Sequence, residues 1–177
     1  MAPNPLAEVL MVGTDRNLAE SGGGHNQKGV EFQRHWAVMR MFELDDIGSP
    51  DFLIIFECIQ DVAVLNSEID PTEIRIYQLK KKDRGEWGWA NLTGINSPPK
   101  PTVAAQKVKN PKAVTPLTHV KESPLGKLYA CVRAFQTLKS SGHFISNAGC
   151  DVPLEAGGSA ATSTSVALSR LSKAHAD

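Results

Sequence analysis

Apolar and polar positions change period several times along this chain. From Asn26 to about Leu44 the apolar residues recur at helical spacing. Trp36, Ala37, Met39 and Leu44 share one face there, and Phe32 and Met41 widen it. Asn26 can cap this helix, and 45-DDIGSPD-51 carries the turn chemistry to stop it. The period then shortens. Residues 52-FLIIFECI-59 form a continuous apolar run, as in a strand covered on both faces. Residues 61-DVAVL-65 predict a second strand, and 66-NSEIDPTE-73 has the polar and proline content of a hairpin loop. Residues 73-EIRIYQLKK-81 alternate. Ile74, Ile76, Gln78 and Lys80 share one face, and Glu73, Arg75, Tyr77 and Leu79 the other.

From Gly85 to Pro124 the chain is rich in proline, lysine and asparagine, too long for an ordinary connection. Residues 123-SPLGKLYACVRAFQTLKSSG-142 then predict a helix. Ser123 caps it, Pro124 opens it, Gly142 ends it, and Leu128, Val132, Phe135 and Leu138 form its stripe. His143 to Ser146 suit a fourth strand, and 166-VALSRLSKAHA-176 a short final helical segment. Residues 1–24, with Pro3, Pro5 and the 22-GGG-24 cluster, read as a flexible entry. The order helix, strand, strand, strand, loop, helix, strand is that of an α/β layer with helices on a mixed central sheet.

Composition narrows the class. The 177 residues suit one domain with a real core, and 41% hydrophobic with 21% charged residues fits a globular protein. No apolar run is long enough to span a membrane, and the N-terminus lacks the features of a signal peptide. Cys58, Cys131 and Cys150 are widely spaced without a CxxC, which points to a reducing cytoplasm and away from a zinc site. The formal net charge of zero hides an asymmetry. Residues 1–86 hold 15 acids and 9 bases, and residues 87–177 hold 4 acids and 10 bases. Five lysines and no acid lie between Trp87 and Lys121, which fits a solvated loop or a surface for a polyanion.

Candidate chemistry gathers at the end of the third strand. Side chains at i and i+2 of a strand project in parallel, roughly 7 Å apart. Asp61 opens the preceding strand, so matching register would bring its carboxylate beside Gln78 and Lys80. Oxygen ligands of this kind suit a hard cation such as Mg²⁺. A strand that is simply leaving the core would also end in polar residues, and spacing alone leaves both readings open. The histidines show no ligand spacing, and no serine has a nucleophile-elbow context. Trp87 and Trp89 suit either a sheet edge or a nucleic-acid groove.

Asp61, a hairpin, and then Gln78-Leu79-Lys80 resemble the core of the PD-(D/E)XK nuclease superfamily in its Q-x-K variant. Segments 22-GGGHNQKGVEFQRHWA-37, 56-FECIQDVAVL-65, 76-IYQLKKKDRGEW-87, 126-GKLY-129 and 144-FISN-147 are similar, in that order, to the DNA endonuclease domain linked to SAVED sensor domains in CBASS antiphage systems. The resemblance implies a restriction-endonuclease-like fold over residues 25–150, with 151–177 as an extension or the start of a linker to a cyclic-oligonucleotide sensor domain. It also implies a Mg²⁺-dependent endonuclease acting on double-stranded DNA with little sequence preference, Mn²⁺ substituting for Mg²⁺. Asp61 would be the metal carboxylate, Gln78 an amide-oxygen ligand, the Leu79 backbone carbonyl a third ligand and Lys80 the catalytic amine. Gln33, spaced G-x-x-x-Q from Gly29, would reach the same centre. Glu57 and Glu31 are candidates for an additional acid, and Lys81, Lys82 and Arg84 for phosphate contact. Self-association into a homo-oligomer is the expected mode of activation. The missing second acid leaves a catalytically weakened α/β interaction or nucleic-acid-binding module as the alternative.

Overall fold

The computed structural model describes residues 4–18, 27–49, 51–95 and 116–172. They form two compact units, one drawn from residues 1–83 and 127–147, the other from 84–126 and 148–177.

The first unit is built on a four-stranded sheet of β1 (Leu53–Phe56), β2 (Val62–Leu65), β3 (Glu73–Lys80) and a later strand, Lys139–Ser146. β1 and β2 are antiparallel, as are β2 and β3, whereas Lys139–Ser146 runs parallel to β3 over its whole length. The β2–β3 hairpin is closed by Asn66, whose Oδ1 accepts the N–H groups of Thr72 (2.9 Å) and Glu73 (2.8 Å). A parallel neighbour requires a long crossover, and the segment between Lys80 and Lys139 supplies it.

Helix α1 (Pro5–Gly13) lies within the stretch that its prolines and glycines mark as a flexible entry. Local chemistry explains the helix: the Asn4 side chain caps it by accepting the Leu6 N–H, Pro5 fits the first position, and Glu8 lies in the first turn. Val9 and Val12 are buried in the core. The Asn26 cap and the glycine cluster at 22–24 lie outside the described residues.

Helix α2 (Gln27–Asp46) turns Phe32, Trp36 and Leu44 onto Val62, Val64, Tyr77 and Leu79. Met39 and Met41, expected on that face, are instead exposed. The stripe at 32, 36 and 44 follows the i, i+4 row of the helix, and 39 and 41 fall on its flanks. Trp36 sits 4.4 Å from Tyr77 between ring centroids, and Tyr77 stacks on His143 at 4.8 Å.

The other face of the sheet, with Ala63, Leu65, Ile74 and Ile76, packs against Val9, Val12, Leu128, Cys131 and Phe135. Each fully buried aliphatic side chain contributes about 1.5–3 kcal/mol relative to exposure, so this apolar layer is the main source of stability.

The second unit contains β4 (Trp87–Gly88), helices α3 (Trp89–Thr93) and α4 (Pro116–Glu122), and the first residues of α5 (Pro124–Ala134). Ser123 caps α5, accepting the Gly126 N–H at 3.1 Å, with Pro124 at the first position. The predicted continuation of this helix to Gly142 does not occur. It ends at Ala134, and Gly142 lies inside the next strand, β5 (Lys139–Ser146). A Cβ on Gly142 would lie 2.7 Å from Leu128 Cγ and 3.0 Å from Val132 Cγ2, so the glycine serves close helix–strand packing rather than a cap.

Strand β6 (Cys150–Asp151) pairs in parallel with β4. Val152 and Ala160 are buried, and short 3-10 turns cover Ala160–Thr162 and Leu168–Arg170. Residues 150–172 are grouped with this unit. Of the expected helix at 166–176, only the Leu168–Arg170 turn forms among the described residues. Among them, no helix is long and apolar enough to cross a membrane.

Candidate functional site

The β1–β2 hairpin reverses through residues 57–61. Glu57 takes the left-handed region at φ +54, and its N–H donates to the Asp61 carbonyl at 3.0 Å. This tight reversal leaves Asp61 at the mouth of β2. Val62 pairs with Tyr77, so Asp61 falls opposite Gln78, the next position in register.

Asp61 is buried, and its carboxylate is held on both oxygens. Oδ2 accepts the Leu79 N–H at 2.6 Å, and Oδ1 accepts Gln33 Nε2 from α2 at 2.7 Å. Lys80 Nζ lies 4.0 Å from Oδ2 and keeps partial access to solvent. Hydrogen bonds to a charged acceptor are short and strong, so the carboxylate has one preferred orientation. A strand residue directs its N–H and C=O toward the same neighbour, so the Leu79 carbonyl also leaves β3 on the β2 side.

Gln78 is 1% exposed. Its Nε2 donates to Gln60 Oε1 at 3.2 Å. Its Oε1 is buried and, among the described residues, has no hydrogen-bond partner. Leaving a buried acceptor unsatisfied costs about 1–3 kcal/mol, so an oxygen in this state calls for an explanation. An amide oxygen, a carboxylate and a backbone carbonyl on neighbouring positions fit a hard divalent cation, and a neighbouring ammonium completes a charged pair. That donor set matches what Mg²⁺ takes from protein, water filling the remaining positions.

Residues 21–177 match the sequence family described as Cap4, dsDNA endonuclease domain. The chain belongs to that family. It is a family of CBASS effector nucleases of the PD-(D/E)XK type, and the mixed four-stranded sheet with flanking helices is consistent with a restriction-endonuclease-like fold. The protein is thus a DNA endonuclease domain of antiphage defence, with double-stranded DNA as its substrate. No curated protein and no solved structure matches the chain.

Around the centre of this Cap4 domain, the remaining candidates separate. Lys82 is pinned by its backbone: its N–H donates to Asn147 Oδ1 at 2.8 Å, and its carbonyl accepts Asn147 Nδ2 at 3.0 Å. Lys81 is exposed and lies 3.8 Å from Asp83. Arg84 is exposed and belongs to the second unit. Glu31 and Glu57 are exposed, and among the described residues no three acidic, histidine or cysteine side chains come together as a metal cluster. Neither glutamate therefore builds a three-carboxylate site with Asp61. Trp87 and Trp89 are half-buried, at β4 and the start of α3.

Gln60, hydrogen-bonded to Gln78, was not singled out by the sequence. It is 3% exposed, and its Nε2 donates to the Leu18 carbonyl at 3.0 Å and to Cys131 Sγ at 3.2 Å. The one sequence signal was a buried-strand context with an amide directly before Asp61, which does not distinguish a site residue from a turn residue.

Proposed function

We propose that this domain cleaves phosphodiester bonds of double-stranded DNA with one Mg²⁺ held by the Asp61 carboxylate, Gln78 Oε1 and the Leu79 carbonyl, Mn²⁺ being an acceptable substitute. The observation that carries this reading is the buried, unsatisfied Gln78 Oε1 beside a fixed carboxylate. When bound, the cation supplies Lewis acidity to the scissile phosphate.

Lys80 holds the attacking water and offsets the negative charge that develops on the phosphoryl oxygens. Gln33 and the Leu79 N–H hold Asp61 in place before substrate arrives, so no reorganisation is needed at that step. A single carboxylate and a neutral amide bind a cation more weakly than two carboxylates would, which supports one metal rather than two. Lys81, Lys82 and Arg84 contact backbone phosphates, giving affinity with little sequence preference.

A cyclic-oligonucleotide sensor domain and self-association as the activating step suit an effector of this family. A cytoplasmic location suits the odd count and wide spacing of Cys58, Cys131 and Cys150 in the sequence.

Plasmid cleavage tests the reading. The parent cuts with Mg²⁺ and stops in EDTA, and Lys80→Ala cuts about 100-fold more slowly. Equal cutting by Lys80→Ala overturns the mechanism. Salt-dependent DNA binding without cutting, unchanged in Lys80→Ala, supports the rival reading of a binding module, which the neutral Gln78 favours.

A further inference from the structure

A glutamine that serves as a metal ligand has a problem that a carboxylate does not. Its two ends differ, and only the oxygen can bind a cation. Something must keep the NH₂ group turned away from Asp61. The hydrogen bonds around Gln78 run in a single direction and originate at an acceptor that cannot reverse. The Leu18 carbonyl only accepts, so it faces the NH₂ of Gln60 (3.0 Å). Cys131 Sγ receives the same group at 3.2 Å. Gln60 must then present its Oε1 to Gln78, and Gln78 must answer with Nε2 (3.2 Å). The Gln78 oxygen is what remains, buried and without a partner among the described residues.

We infer that Gln60 is a positioning residue, which sets the orientation of the Gln78 amide so that Oε1 faces the cation. This rests on the metal reading proposed above. The polarity originates at Leu18, in the turn that follows α1 and upstream of the family match at 21–177. The N-terminal segment therefore contributes to the nuclease centre without touching it. Gln60 and Gln78 are both at most 3% exposed, so water does not compete for these bonds.

A double-mutant cycle tests the inference, reading Mn²⁺ affinity by calorimetry on protein without DNA. Gln60→Leu weakens Mn²⁺ binding by about 10–100-fold when Gln78 is present. In the Gln78→Glu background the same change has no such effect, because a carboxylate offers oxygen at either end. Equal weakening in both backgrounds means a packing role and overturns the inference. Unchanged affinity in the Gln78 background also overturns it. A parent that binds no Mn²⁺ at all sinks the metal reading itself.

One measurement needs no Gln60 variant. The Gln78 side-chain NH₂ resonances, assigned by their loss in Gln78→Glu, exchange slowly with water and show contact to Gln60. Rapid exchange would overturn the orientation argument even if Gln60→Leu fails to fold.

Discussion

Gln33 and Asp61 are joined at 2.7 Å, the helix residue donating from Nε2 to Oδ1 of the residue that opens β2. The bond ties α2 to the sheet at the end that carries Asp61, Gln78 and Lys80. It occupies one carboxylate oxygen, while the Leu79 N–H occupies the other. A hydrogen bond to a charged group is worth about 1.5–3 kcal/mol. Gln33→Ala is therefore expected to slow single-turnover cleavage about 10–100-fold with the fold intact. Gln33→Glu, which sets a like charge against Asp61, is expected to be slower still. Parent-like rates in Gln33→Ala would remove Gln33 from the mechanism.

Gln78→Glu places a second carboxylate across from Asp61. Two acids bind a divalent cation more tightly than one, so the Mg²⁺ concentration for half-maximal cutting is expected to fall. Without metal the same substitution buries a charge beside another of equal sign. Its thermal midpoint is expected to drop in EDTA and to recover with Mg²⁺. A midpoint indifferent to Mg²⁺ would show that position 78 is not a ligand.

Glu8 ties α1 to the loop before β5. Its carboxylate accepts the N–H groups of Gln136 (2.7 Å), Thr137 (3.1 Å) and Leu138 (3.2 Å), and the Thr137 hydroxyl. Burial pushes its pKa up, but the Thr137 hydroxyl and the three backbone N–H groups outweigh that and leave it below its ordinary 4.5. A depressed folded pKa gives stability that is present above the unfolded value and lost as pH falls through the folded one. The stability of the parent, read by denaturant unfolding, is thus expected to fall as pH drops below 4.5. Glu8→Gln should be less stable at pH 7 and show a shallower loss on acidification. A parallel pH profile in both proteins would exclude Glu8 as the source.

Gly142→Ala asks whether β5 needs its glycine. The added methyl would meet Leu128 at 2.7 Å and Val132 at 3.0 Å, both on α5. Overpacking of this kind costs about 1–3 kcal/mol. At this chain length each kcal/mol lowers the thermal midpoint by about 2–4 °C. An unchanged midpoint would mean that α5 shifts without cost.

Much of the first unit was readable from pattern. β2 and the alternation of β3 follow from apolar periodicity, and Ser123-Pro124 marked the start of α5. Other features were not. Val9 and Val12 show their role only when α1 lies on the sheet, because exposed Leu10 and Met11 lie between them and no apolar stripe marks the buried face. Gly142 read as a helix stop because a glycine after an apolar helical stripe has the same sequence signature whether it ends the helix or lets the helix pack on it.

By itself the sequence determined that Gln78 and Lys80 share a face, since a strand alternates with period two whatever surrounds it. It also carried the ordered segments that place the chain among Cap4 endonuclease domains. Tertiary structure alone decided what that face meets. Register set Asp61 against Gln78, the turn at Glu57 brought Asp61 to the mouth of β2, and α2 delivered Gln33 to its carboxylate. Likewise, Gln60 links Leu18 to Gln78 across 42 residues of chain on one side and 18 on the other. Hydrogen bonds between residues so far apart depend on how the layers pack, and no local pattern encodes them.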